Sequence, residues 1–125
     1  MSLIPDDLSY TEEHEWLKVQ EDGKARTGIT DYAQDALSDV VFVELPEVGA
    51  EFTKGEVMAV AESVKAASDV YAPISGRIIS INVKLEESPE LVNESPYEFG
   101  WMVLIEPQGE ISGLLDAESY RESVD

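Results

Sequence analysis

The segment Val60–Ile78, "VAESVKAASDVYAPISGRI", contains apolar, strand-like runs around a short stretch of small and acidic residues. One lysine, Lys65, lies within that stretch, in a chain that is poor in lysine. The β-branched and apolar residues on either side favour strands. The segment therefore predicts a hairpin with Lys65 near its tip. Beyond it we expect strands at Asp69–Ala72 and Arg77–Val83, separated by a Pro73–Gly76 turn.

The rest of the chain continues this pattern of short strands and frequent turns. Alternating apolar and polar residues predict a hairpin over Glu15–Ile29 with a tight turn at Asp22-Gly23. We expect Trp16 to face inward with Val19 nearby. Glycines such as Gly49 and Gly76 are interpreted as turn residues. The other predicted strands cover 40–46, 56–63 and 101–107, and a loop rich in Pro and Ser covers 86–100.

Two segments change to a helical period. Residues 30–39, "TDYAQDALSD", predict a helix of about two turns, in which Asp31 and Gln34 resemble a capping box. Residues 112–124, "SGLLDAESYRESV", predict a C-terminal helix with Ser112 as a candidate cap. The residues expected on the apolar face of the first helix are Tyr32, Ala33, Ala36 and Leu37, and those expected to anchor the second are Leu114, Leu115 and Tyr120.

A faint internal repeat relates two parts of the chain. Residues 41–62 and 78–106 both read as a strand, a turn, an apolar anchor, a glycine turn and a second strand. Two similar halves related by a quasi-twofold axis would meet at the connection Ser63–Ser68, with Lys65 at its centre. Many short strands of this kind predict a mostly β barrel or sandwich in a single domain.

Composition narrows the classes of function. The 125 residues include 27 acidic and 8 basic side chains, which gives a net charge of −19 and excludes general nucleic-acid binding. The same charge argues against docking on anionic membranes and favours partners with basic faces, although solubility or salt adaptation explains it equally well. The absence of cysteine excludes disulfides and cysteine nucleophiles. With no long apolar run and no signal or transit peptide, we expect a cytoplasmic protein.

Few residues offer conventional catalytic chemistry. The single histidine, His14, lies outside any nucleophile motif and is interpreted as a surface or strand residue. The acids around it lack the spacing of a calcium loop, so no metal site is expected. The acidic neighbours Glu62 and Asp69 favour the protonated amine of Lys65, which is therefore a poor base but a good attachment point. The alternative is that Lys65 is an ordinary surface lysine.

The residues around Lys65 also match a known family. "ESVKAASDVYAPISGRI" resembles the lipoylation segment of glycine cleavage system H proteins. The segments "HEWLKV", "GITDYAQDALSDVVFVELPEVG", "ESPELVNESPY" and "GWMVLIEP" follow in family order, from about Leu8 to Tyr120. Lys65 lies between Val64 and Ala66, whereas general lipoyl domains have Asp-Lys-Ala and biotinyl domains have Met-Lys-Met. Phe99 departs from the family pattern and predicts a bulge before the last strand.

The resemblance implies a lipoyl/biotinyl-type flattened barrel, or barrel-sandwich hybrid, made of two quasi-symmetric β-halves. A short helix would follow the N-terminal hairpin, and a C-terminal helical segment would cover about 112–123. One domain would span 1–125, with its core at about 8–107. Lipoate would be attached to Lys65 through an amide bond. The attachment site would also include Glu62, Ser63, Val64 and Ala66.

The resemblance further implies a non-catalytic shuttle. The arm would take an aminomethyl group from the P-protein (glycine decarboxylase) to the T-protein (aminomethyltransferase), and pass electrons to the L-protein (dihydrolipoamide dehydrogenase). A lipoate ligase or lipoyl transferase would load Lys65. Glu15, Asp69 and Glu13 would line a cleft that holds the loaded arm by charge-assisted hydrogen bonds.

Other interpretations stay open at this point. Glu15 could be an exposed strand acid, and Asp69 a turn residue. The whole chain could be an H-like protein that relays lipoate to other enzymes, or an isolated lipoyl or biotinyl domain of a larger complex. It could also be an unmodified acidic binding domain.

Overall fold

A computed structural model describes residues 3–124. Within this range the chain forms nine strands and four short helices. The strands are β1 (Ser9–Tyr10), β2 (Glu15–Val19), β3 (Ala25–Ile29), β4 (Val40–Glu44), β5 (Glu51–Phe52), β6 (Val57–Ser63), β7 (Ala67–Tyr71), β8 (Gly76–Ile81) and β9 (Val103–Pro107). The helices are α1 (Asp31–Leu37), α2 (Lys84–Glu87), α3 (Leu91–Glu94) and α4 (Ala117–Val124).

The strands form two antiparallel sheets, and their order shows the two halves of the fold. One sheet has the order β1-β2-β3-β9-β8-β5, and the other has the order β4-β6-β7. The first half provides β3, β4 and β6, and the second half provides β7, β8 and β9. In the first half β4 pairs with β6, and in the second half β8 pairs with β9; both pairings contain a register shift. The first strand of each half lies in the sheet of the other half, because β3 pairs with β9 and β7 pairs with β6. This exchange confirms the predicted mostly β fold of two quasi-symmetric halves.

Two apolar clusters hold the sheets together. The main core lies between the sheets and includes residues from both halves. A smaller aromatic cluster lies beneath α4, where Tyr10 and Tyr120 stack with ring centroids 4.6 Å apart. Trp16 belongs to this cluster and is buried, which confirms the prediction that it faces inward. Its indole N–H donates to the Pro96 carbonyl over 3.0 Å. Val19 is instead exposed, because residues three apart in a strand point to opposite faces.

Gly76 is required for strand packing and does not serve the turn that was predicted for it. It opens β8, opposite Pro107 of β9. A Cβ atom there would lie 2.5 Å from the Glu106 carbonyl oxygen and 2.5 Å from Cγ2 of Ile105. The close approach of the two backbones therefore selects glycine. Gly49, with a φ of 95°, does occupy a turn conformation that favours glycine.

Helix α1 confirms the first predicted helix but not its details. Thr30 is the N-cap, and its hydroxyl accepts from the Ala33 amide over 3.2 Å, so the predicted Asp31 cap was wrong. Asp31 is the first helical residue and accepts a hydrogen bond from the Gln34 side chain. Ala33 packs against the main core together with Leu37, four residues on. Tyr32 and Ala36 are exposed, because they lie on the neighbouring face of the helix.

The segment predicted as a loop contains two helical turns. Helices α2 and α3 bury Leu85 and Val92 in the main core, which an irregular surface loop would not do. β8 ends at Ile81 rather than Val83, because Val83 already has helical backbone angles as the N-cap of α2. The Asn82 side chain donates to the Phe99 and Trp101 carbonyl groups in the connection before β9. Phe99 lies in a turn over 96–100 and not in a strand bulge.

The C-terminal helix is shorter than predicted. It begins at Ala117, and the Asp116 carboxylate accepts from the Ser119 amide over 2.8 Å, so Ser112 is not the cap. Leu115 precedes the helix and forms an isolated bridge with Tyr10 of β1. The backbone bends at Gly113, with a φ of 74°, so the predicted helix cannot continue back to Ser112. No helix among residues 3–124 is both long enough and apolar enough to span a membrane.

Candidate functional site

The connection between β6 and β7 is a tight turn closed by Ser63. The Ser63 amide donates to the Ala66 carbonyl over 2.8 Å. The Ser63 hydroxyl accepts from the amides of Lys65 and Ala66 over 3.2 and 3.1 Å. A short hydroxyl side chain that satisfies turn amides fixes the backbone locally. The structure therefore places Lys65 on a defined hairpin tip, with Glu62 at the end of the adjoining strand.

The Lys65 side chain is exposed to solvent. Val64, Lys65 and Ala66 are all exposed, and Val64 retains 69% of its accessible surface. Within residues 3–124 the Lys65 amine takes part in no hydrogen bond and no ion pair. The small side chains on its C-terminal side leave room around the amine. This environment suits covalent modification of the amine by a second protein.

A second contact braces the hairpin from outside its own strands. The Val64 amide donates to the Asp39 carbonyl over 3.1 Å. The preceding residue, Ser38, has φ 69° and ψ −152°, a conformation that is usual only for glycine. The Asn93 amide group donates to the Ser38 carbonyl over 2.8 Å and accepts from the Val40 amide over 2.8 Å. The turn after α1 is thus held in an unfavourable conformation that supports the tip.

Glu15 is a buried acid, so its interpretation as an exposed strand residue was wrong. Its side chain is 1% exposed. The Thr11 hydroxyl donates to one carboxyl oxygen over 2.5 Å, and the Tyr71 amide donates to the other over 3.2 Å. Burial raises the pKa of Glu15 to about 7, and the two hydrogen bonds partly oppose that rise. The carboxyl group therefore changes charge near neutral pH.

A network of aromatic and polar groups surrounds the backbone beside Glu15. His14 has a φ of 70°, in the left-handed region, and its Nδ1 lies 2.8 Å from the Tyr120 hydroxyl. The same hydroxyl lies 2.7 Å from the Thr30 side-chain oxygen. Burial lowers the pKa of His14 and raises that of Tyr120 to about 12. His14 is therefore a half-buried residue at the junction between the start of β2 and α4.

The remaining predicted cleft residues lie in two different places. Asp69 is exposed in β7, opposite Val60 of β6, and not in a turn. It lies two residues from Tyr71, which contacts Glu15, and this spacing corresponds to about 7 Å along a strand. Glu13 is exposed in the β1–β2 connection, where only its amide bonds to Thr11. The structure thus brings Glu15 to the strand that carries Asp69.

Sequence reasoning missed two residues that organise the site. Thr11 accepts from the Glu13 and Glu15 amides while it donates to the Glu15 carboxyl group. Asn93 supports the turn beneath the hairpin. A threonine four residues before a strand acid is a weak signal for such a contact, and the sequence around Asn93 had predicted only a loop.

Comparisons with known proteins agree on one family. A family model described as "Glycine cleavage H-protein" matches residues 8–125. The glycine cleavage system H protein of Aeromonas salmonicida is 54% identical, with 100% of this chain and 98% of the relative covered. That of Shewanella baltica is 56% identical with the same coverage. A crystal structure of a glycine cleavage system H protein from Mycobacterium marinum superposes with a TM-score of 0.91 at 40% identity, and covers 97% of this chain and 98% of that one.

Proposed function

Because the chain belongs to the glycine cleavage H-protein family, we propose that it is a carrier protein lipoylated on Lys65. The observation that supports this proposal is the geometry of the tip: an exposed lysine, with no partner among residues 3–124, on a turn fixed by Ser63. An amide can form only with an amine that a modifying enzyme can reach. The exposed side chains of Val64 and Ala66 leave that access open.

The residues present fit a covalent lipoyl group. Lys65 provides the attachment atom, Nζ, and Glu62, Ser63, Val64 and Ala66 form the turn that presents it. Lipoate, when bound, supplies a dithiolane whose sulfur atoms can carry a one-carbon unit and electrons, chemistry that a chain without cysteine lacks. The protein's own contribution is to display the arm on a rigid turn. The turn is rigid because both Ser63 and the Asp39 carbonyl hold its backbone amides.

Glu15 and Asp69 are proposed to receive the cationic end of the loaded arm. Charge-assisted hydrogen bonds between a carboxylate and an ammonium group are stronger than neutral ones. A cation beside Glu15 would favour its ionised form, which is accessible because its pKa is about 7. Asp69 lies on the exposed side of the same strand that donates to Glu15. Glu13, on the separate β1–β2 connection, is assigned a weaker contribution.

The proposed partners follow from this role. The chain would exchange its cargo with the P-protein, the T-protein and the L-protein, and a lipoate ligase or lipoyl transferase would modify it. It would have no catalytic activity of its own and would work in the cytoplasm. The acidic surface, with a net charge of −19, favours encounters with enzymes that have basic faces.

Intact-mass measurement after co-expression with a lipoate ligase tests the attachment. Wild type should gain one lipoyl group, Lys65→Arg should gain none, and both should show the same far-UV circular dichroism. Lys18→Arg is the matched control, because Lys18 is another exposed lysine that should have no effect on loading. Unmodified wild type, or a lipoylated Lys65→Arg variant, would rule out this assignment.

Reconstituted exchange of glycine with bicarbonate, in the presence of P-protein, tests the pathway. Lipoylated wild type should support exchange, and Lys65→Arg should not. A lipoylated wild type that supports no exchange would favour a lipoate relay to other enzymes over glycine cleavage.

A further inference from the structure

One apolar surface beside Lys65 is not explained by attachment of the arm. Val41, Phe42 and Val64 retain 55%, 48% and 69% of their accessible surface. We refer to these three residues as the tip patch. The Val64 amide bonds to the Asp39 carbonyl, two residues before Val41, so the hairpin lies against the start of β4. Phe42 lies opposite Glu62 of β6, which leads directly into the hairpin.

A local irregularity of β4 creates the patch. The register of β4 and β6 shifts between Val40 and Phe42, as expected where one strand contains an extra residue. Val40 and Val43 are buried, while Val41 and Phe42 between them both face outward. A regular strand would bury every second residue and would turn only one of this pair to solvent. The irregularity therefore exposes a valine and an aromatic ring side by side.

Acidic residues belong to the strands that carry the tip patch, and Lys65 is the one basic residue of the β6–β7 hairpin. Strands β4, β6 and β7 contain no Lys or Arg. Glu44, Glu62 and Asp69 belong to these strands, and the exposed Asp39 immediately precedes β4. Amide formation on Lys65 would remove the one positive charge. The outer side of the three-stranded sheet would then combine an apolar centre with a uniformly acidic rim.

We propose that the tip patch is the docking surface for the P-protein, which would place the one-carbon unit on the lipoylated arm, through an apolar recess surrounded by basic residues on that enzyme. This inference rests on the proposed function, because an enzyme that acts on the Lys65 arm must approach the same hairpin. Specific interfaces have an apolar centre and a polar rim, and aromatic residues at the centre contribute most to affinity. Opposite charges on the two rims would speed association and align the arm.

A second copy of this chain is a less suitable occupant. Each copy carries a net charge of −19, and two tip patches in contact would bring their acidic rims together. Like charges across an interface oppose association. A basic-rimmed enzyme meets no such repulsion, and its charge would offset that of Asp39 and Glu62.

The experiment compares lipoylated variants in glycine–bicarbonate exchange with P-protein while the carrier concentration is varied. Phe42→Ser is expected to raise the KM for the carrier about tenfold, the effect of losing one interface hot-spot side chain, and to leave kcat unchanged at saturation. Phe99→Ser is the matched control, because Phe99 is 62% exposed but lies in the turn before β9. Val41→Thr keeps a β-branched side chain in β4, so the strand should form normally. This variant should raise the KM for the carrier even if Phe42→Ser is poorly folded.

A charge variant tests the rim separately. Asp39→Asn should lower the exchange rate at low salt and weaken its dependence on salt, since it removes one rim charge. Intact mass and circular dichroism of every variant precede the kinetics. A KM that is unchanged in both Phe42→Ser and Val41→Thr would refute the docking surface while the wild type still supports exchange. A failure of the lipoylated wild type to support exchange would instead refute the proposed function.

Sedimentation velocity at the assay concentrations tests whether a second copy of this chain occupies the tip patch. A monomeric wild type supports the proposal. A wild-type dimer that Phe42→Ser converts to monomer, with no change in KM, would assign the patch to self-association and overturn the proposal.

Discussion

The buried carboxyl group of Glu15 makes the stability of this protein depend on pH in a predictable direction. Burial raises the pKa of Glu15 from an ordinary value of 4.5 to about 7 in the folded chain. Between these two values the folded chain retains a proton that the unfolded chain has released. Stability therefore falls as pH rises through this interval, and it levels off above pH 7, where the group is ionised in both states.

The size of the effect follows from the same two values. Each pH unit between them corresponds to about 1.4 kcal/mol, so the full contribution is about 3 kcal/mol. Screening by solvent does not reduce it much, because the side chain is 1% exposed. Glu15→Gln should abolish the dependence. The glutamine side chain has the shape of the carboxyl group and no charge, and its oxygen can accept the hydrogen bond that the Thr11 hydroxyl donates.

Urea unfolding of wild type and Glu15→Gln at pH 5, 6, 7 and 8 measures the prediction. The variant's advantage in free energy of unfolding should grow by about 2 to 3 kcal/mol between pH 5 and 8. Comparing the two proteins at each pH cancels the repulsion among the other acids. Glu12→Gln, at an exposed acid nearby, is the control and should show no such growth. A Glu15→Gln advantage that stays constant from pH 5 to 8 would refute the argument.

Other substitutions test the packing of the fold. Gly76→Ala should lower stability by about 1 to 3 kcal/mol, because the new methyl group would overlap the β9 backbone; an unchanged calorimetric Tm would contradict this. Tyr120→Phe should lower the free energy of unfolding in urea by about 1 to 3 kcal/mol, because Nδ1 of His14 and the hydroxyl group of Thr30 would lose a buried hydrogen-bond partner. Equal stability would show that water replaces the tyrosine hydroxyl group. Asn93→Ala should speed hydrogen exchange of the amides at the hairpin tip, and unchanged exchange would mean that the brace is dispensable.

Much of the architecture could be predicted from local sequence patterns. Alternation and β-branched residues predicted most strands to within a few residues, and the Asp22-Gly23 pair located the turn between β2 and β3. The repeat of strand and turn predicted two halves and placed Lys65 between them. Helices α2 and α3 were missed, because each is a single turn among Pro and Ser residues, too short to show a helical period.

The sequence alone determined the Lys65 hairpin, because its strands, its turn and the lysine itself are neighbours in the chain. The environment of Glu15 was decided by the tertiary structure, since its amide donor, Tyr71, is 56 residues away. The same holds for Asn93, which reaches the Ser38 carbonyl across 55 residues. Local patterns record the preferences of adjacent residues for strand, helix or turn. Burial and hydrogen bonds between distant segments arise only when the sheets pack, and those contacts set the charge of Glu15 and the rigidity of the tip.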